Sequence, residues 1–177
     1  MRRMEPRNEP DDRSRTGGVL VRANVAATSL FAVTAGYAAA SFTTTAQWVG
    51  AITAMSLFAV GVFTFLWSYW SAVQRSREVQ IAVSQLYLLL GPAIPARVRR
   101  VMNLVLFAQV AIATVTALAR PDGPDGNPGS SLAVGFLVPM LGFGLNGLWA
   151  VRHGDFEPRA DDVPGSGGAI GQNADHG

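Results

Sequence analysis

The sequence predicts an all-α polytopic membrane protein: a four-transmembrane-helix bundle with a short cytoplasmic interfacial helix between helices 2 and 3. Three observations carry that expectation. Asp, Glu, Arg and Lys are absent from 23–74, from 101–119 and from 126–151. The arginines sit on alternate connections between those stretches, and aromatic residues gather at their ends. A helix in water needs a charged face, and these stretches have none, so lipid or other helices must surround them.

The elements follow in order. A bilayer core of about 30 Å takes roughly 20 apolar residues as a helix, so the first charge-free gap fits two spans. Residues 1–18 read as a disordered cytoplasmic tail, helix 1 as about 19–42 and helix 2 as about 49–72. The run Thr43-Thr44-Thr45-Ala46-Gln47 between them suits a tight polar turn, because consecutive β-branched residues disfavour helix. Next, Val79, Val83, Leu86 and Leu90 recur on one helical face, and Gly91-Pro92 ends the pattern. Residues 77–90 are too few to span and read as a helix lying in the interface. Pro95 then opens helix 3, about 96–119. The connector Pro121-Asp122-Gly123-Pro124-Asp125-Gly126 is turn chemistry, too poor in spaced acidic ligands to be a calcium loop. Helix 4 reads as about 132–151, and residues 153–177, rich in Gly, Pro, Asp and Ala, as a second disordered tail.

Arginine sets the orientation. Arg2, Arg3, Arg7, Arg13, Arg15 and Arg22 precede helix 1; Arg75, Arg77, Arg97, Arg99 and Arg100 lie between helices 2 and 3; Arg152 and Arg159 follow helix 4. Only Arg120 falls on the opposite side. The positive-inside rule then places both termini and the middle loop in the cytoplasm. Trp48, Trp67, Tyr69, Trp70 and Trp149 mark the interfaces, where amphipathic rings are favoured. The basic lead-in, the apolar stretch 23–37 and Ala38-Ala39-Ala40 also resemble a signal peptide. The long polar lead-in and the apolar residues beyond that site favour an uncleaved span.

The same composition excludes several kinds of chemistry. There is no Cys, hence no disulfide, thiolate metal site or Cys-ligated cluster. All 14 basic residues are Arg, a mark of GC-rich coding, and the net charge of +2 is spread across connections. That distribution fits membrane topology and no nucleic-acid partner. The polar residues inside the spans, among them Asn24, Thr28, Asn103, Gln109, Thr116 and Asn146, are not ionisable. Proton relays and ion pathways usually carry an ionisable group there. Gly142-Phe143-Gly144-Leu145-Asn146-Gly147 matches the dinucleotide fingerprint literally but lies inside a span, without the strand before it that the motif needs. His153, with Asp155 and Glu157 beyond it, is too sparse a set for a metal and suits the negative end of a helix. No catalytic, cofactor-binding or metal residue is expected.

What remains is helix packing. Ala32, Gly36 and Ala40 form a small-residue stripe on helix 1, as do Gly50 and Ala54 on helix 2, and Gly135, Pro139, Gly142 and Asn146 on helix 4. Such stripes let neighbouring helices approach closely, first of all within the bundle, and Asn146 offers a hydrogen bond across the contact. Pro139 is expected to kink its helix. Arg97, Arg99 and Arg100 are positioned to meet lipid headgroups, although topology alone also calls for them. The run Gly135-Phe136-Leu137-Val138-Pro139-Met140 through Trp149-Ala150-Val151-Arg152-His153-Gly154, with Pro95-Ala96-Arg97-Val98-Arg99-Arg100, resembles uncharacterised small integral membrane proteins common in actinobacteria. The resemblance spans about 19–159, implies four helices in the plasma membrane, and brings no catalytic residue. The expected function is a non-enzymatic accessory or scaffold subunit, associating with itself or with other membrane proteins. The alternative is a small oligomeric transporter or channel for an apolar or weakly polar solute, with Gln109 and Thr116 beside Pro139, Gly142 and Asn146 as its lining.

Overall fold

The computed structural model describes residues 9–76, 82–92, 94–122 and 131–156, with side chains from Gly17 onward. The elements are α1 Glu9–Ser41, α2 Thr44–Arg75, α3 Val83–Tyr87, α4 Ala96–Ala119, a 3-10 helix Ser131–Leu137, and α5 Pro139–His153. Four segments are long and apolar enough to cross a membrane: Gly17–Ser41, Thr44–Arg75, Ala96–Ala119 and Ser131–His153. The chain is an all-α, multi-pass membrane protein. Residues 1–8, 77–81, 93, 123–130 and 157–177, which hold part of the first expected tail and most of the second, lie outside the described residues.

Several boundaries differ from expectation for local reasons. Helix α1 starts at Glu9 rather than near residue 19, with Pro10 in its first turn, where a missing N–H costs nothing. The first turn is shorter than the Thr-rich run suggested. Phe42 reverses the chain at φ 46°, and Thr43 caps α2 by accepting from Ala46 N at 3.3 Å. Thr44, Thr45, Ala46 and Gln47 are already helical. A capping hydroxyl satisfies a free first-turn N–H, which outweighs the weak helix propensity of Thr. Arg120, the lone arginine of that end, donates from Nε to Ala39 O at 3.2 Å and lies 4.4 Å from the Phe42 ring centroid. The last span is not one helix. A 3-10 segment leads through Val138 into α5, with Pro139 at the start of the regular turns. Val138 N donates to Gly135 O at 3.0 Å and Leu141 N to Val138 O at 2.8 Å, so the proline sits at a junction of two helix types.

The core forms around α5. Leu141, Gly142 and every residue from Gly144 to Ala150 are buried. Helix α5 packs against α2, α4, α3 and α1, while α1 also packs along α2 and α4. Contact with α2 is closest at glycine. A Cβ on Gly61 would fall 2.5 Å from Leu141 N, and one on Gly144 would fall 2.5 Å from Gly61 O and against the Thr64 hydroxyl. Only a missing side chain on each helix permits that approach. Large apolar side chains point the other way: Phe63, Leu66, Leu104, Phe107, Val115 and Leu118 are exposed on the outer surface.

The segment between α2 and α4 is corrected in its face. Of the apolar row expected there, Leu86 is buried, whereas Val83 is 72% and Leu90 46% exposed; Val79 lies outside the described residues. Leu86, Tyr87 and Leu89 are buried instead, in one cluster with Leu141, Leu145 and Trp149. The reason is length. Helix α3 has only five residues, and Leu89 at φ 54° breaks the helical period before Leu90. Trp149 is corrected too: it is 4% exposed and stacks on His153 within the core end rather than facing headgroups.

Candidate functional site

Two clusters of amides stand among the buried polar groups, with Gln47, Ser68 and Thr116 apart from them. In the first, Gln109 of α4 donates from Nε2 to Thr28 Oγ1 at 2.7 Å and to Asn24 Oδ1 at 3.2 Å, both on α1. Asn24 in turn points Nδ2 at Met102 Sδ, 3.6 Å away. Asn24 and Gln109 are wholly buried. In the second, Asn146 of α5 donates to Tyr87 O at 2.9 Å and to Asn103 Oδ1 at 3.3 Å, and Asn103 donates to Leu88 O at 2.8 Å. Arg99 Nη1 adds a bond to Gly91 O at 3.0 Å. Three side chains from α4 and α5 therefore hold the carbonyls of the α3 segment, whose short helix cannot bond them all itself. Tyr87 completes the anchor by stacking on Phe65, centroids 4.4 Å apart. Burial pushes the Tyr87 phenol above its ordinary pKa.

One amide in each cluster keeps an atom unpaired. Gln109 Oε1 and Asn146 Oδ1 are buried without a hydrogen-bond partner among the described residues. A buried unpaired acceptor is uncommon and costs stability. Gln109 Oε1 faces Gly142, where a Cβ would come within 2.7 Å. Thr116, one heptad from Gln109, bonds instead to Ile112 O of its own helix at 2.8 Å.

The small-residue candidates separate into packed and unpacked. Gly135 fits against Phe31 and Ala113, Gly142 against Leu106 and Gln109, Gly50 against Ala38, and Ala54 is buried. Pro139 is half-buried at the head of α5. On α1, however, Gly36 and Ala40 are exposed, Ala32 is half-buried, and a Cβ on Gly36 would meet nothing within 4 Å. Helix α1 buries the neighbouring row Asn24, Thr28, Phe31, Ala35 and Ala38, spaced by four and three. Ala32 and Gly36 are each offset by one residue from a member of that row, about 100° around the helix, and Ala40 by two. Gly36 and Ala40 therefore lie off the packed row of α1.

Gly61, where α2 meets the α5 backbone at Met140 and Leu141, is not among the expected residues. Its signal is heptad spacing: Ala54, Gly61 and Ser68 of α2 lie seven apart, and all three are buried. Of the expected headgroup arginines, Arg97 and Arg100 are exposed, while Arg99 is half-buried and committed to Gly91 O. His153 lies in the last turn of α5 with Nδ1 3.3 Å from Trp149 O. Among the described residues no group of three or more His, Cys, Asp or Glu comes together. Comparison with protein-family models, curated proteins and solved structures finds no match.

Proposed function

We propose that this protein is a non-enzymatic accessory or scaffold subunit that binds a transmembrane helix of another membrane protein along the exposed α1 stripe. The carrying observation is Gly36: small, exposed, and with open space where a Cβ would stand. Ala32 and Ala40 flank it at helical spacing, so a partner helix can approach as closely there as α2 approaches α5. The buried amides support the reading from the other side, since they are spent on internal hydrogen bonds. In this reading the protein resides in the plasma membrane with the arginine-rich end in the cytoplasm, as the arginine distribution and the resemblance to small actinobacterial membrane proteins favour.

Photo-crosslinking from position 36 in native membranes tests the proposal. A specific crosslinked membrane protein is expected, and Gly36→Leu should abolish it while leaving the fold intact. Recovery of monomer alone would sink the idea, and a crosslink only to a second copy would replace the partner by a homo-oligomer. The second reading, a small oligomeric transporter or channel for an apolar or weakly polar solute, draws on the unpaired acceptors Gln109 Oε1 and Asn146 Oδ1. Solute flux in reconstituted vesicles that Gln109→Leu removes would establish it.

A further inference from the structure

A cavity of about 610 Å³ opens at the arginine-rich end, among Gly17, Gly18 and Val21 of α1, the end of α2, the start of α4 and the end of α5. Its volume falls within the roughly 300–1,000 Å³ of small-molecule sites. Gly17, Arg75, Trp149, Arg152, His153 and Asp155 form the polar part of its wall. The indole N–H of Trp149 can only donate, yet it is buried and has no acceptor among the described residues. It is turned toward the α1 wall, 3.2 Å from where a Cβ on Gly17 would stand, with His153 Nε2 3.5 Å from the same point. Arg152 is exposed and makes no hydrogen bond or ion pair among the described residues.

The end of a helix normally repels anions, because its last carbonyls point outward. Here Arg75 covers them, donating from Nη1 to Val151 O at 2.5 Å and from Nη2 to Gly154 O at 3.5 Å. Asp155 also lies on the wall, exposed, with two guanidiniums set against its one carboxylate. Arg152 has a second neighbour surface. A groove of about 220 Å³ between α2 and α5, lined by Phe63, Thr64, Trp67 and Leu148, ends on the same side chain. An unsatisfied buried donor, a free guanidinium, a covered helix end and an apolar groove thus converge on one place.

We infer that this cavity binds a phosphate group, with Arg152 and the Trp149 N–H as its donors and the Phe63–Leu148 groove taking an attached acyl chain. The site does not depend on association through α1. Native mass spectrometry of the full-length protein, released from mild detergent, tests it with two probes: phosphatidylglycerol and inorganic phosphate. Retention of the lipid alone assigns the site to a lipid headgroup, and retention of both assigns it to phosphate itself. Arg152→Gln is expected to weaken retention about tenfold, the effect of losing a charge-assisted hydrogen bond. Trp149→Phe, which keeps a ring and loses only the N–H, should weaken it about fivefold. Arg22→Gln, an exposed arginine that does not line the cavity, should leave retention unchanged. Three outcomes overturn the inference: neither probe is retained, Trp149→Phe binds as well as the parent, or Arg22→Gln weakens binding as much as Arg152→Gln.

Discussion

Helices α2 and α5 are both long apolar segments without a charge in their middles, yet they occupy different surroundings. In the most apolar stretch of the Thr44–Arg75 span, mean hydropathy is 2.1 and 17% of residues are buried. In the Ser131–His153 span the values are 1.6 and 61%. The less hydrophobic segment is the inner one. A water-soluble protein sorts the other way, because burial of apolar surface drives its folding. Between helices in lipid that force is absent, and close packing and hydrogen bonds decide which segment goes inside. Glycine and asparagine therefore mark the interior of this bundle, and leucine and phenylalanine much of its outside.

The sharpest way to break that contrast is to thicken the α2–α5 contact. Gly144→Val places new atoms on Gly61 O and the Thr64 hydroxyl, backbone and a held side chain that have little room to move. A loss of about 3 kcal/mol is expected in reversible unfolding from mixed micelles. Smaller in effect, Asn146→Leu removes the donor to Tyr87 O without adding much bulk. It should cost about 1–2 kcal/mol, and hydrogen exchange should rise first at residues 86–92 as the anchored segment loosens. At the far end of the scale, Phe107→Leu alters a side chain that is 72% exposed on the outer surface. Its effect on unfolding should stay within about 0.5 kcal/mol. A larger loss there would mean that the outer face of α4 is covered, and the comparison of inside with outside would need redrawing.

Much of this fold is legible in the sequence because charge is an absolute marker in lipid. The three stretches without Asp, Glu, Arg or Lys are enough to locate all four spans, and Pro139 announces the break before α5. Helix rotation is harder to read. Ala32, Gly36 and Ala40 mark one face of a helix just as Gly135, Pro139, Gly142 and Asn146 do, yet one stripe faces largely outward and the other packs. A stripe states what a face permits, and only the neighbouring helix determines whether it is used. The polar row on α1 was the better guide, since Asn24 and Thr28 must find partners and Gln109 supplies them. Trp149 misled for a related reason: an indole near a span end suits the headgroup zone, but its rank along α5 placed it inside. The buried face of the α3 segment is not legible in the sequence, because a run of five helical residues is too short to hold a periodic face.

The central position of α5 has a consequence for how the protein comes to exist. It is the last of the four spans along the chain, so α1, α2 and α4 leave the ribosome before the helix they enclose. Until α5 arrives, the Gly61 face of α2 has only lipid against it, and Asn103 waits without Asn146. The earlier spans thus form an open cradle, and the most buried segment enters a membrane that already holds its binding surface. Synthesis arrested before residue 131 would leave that cradle empty, a natural substrate for membrane quality control.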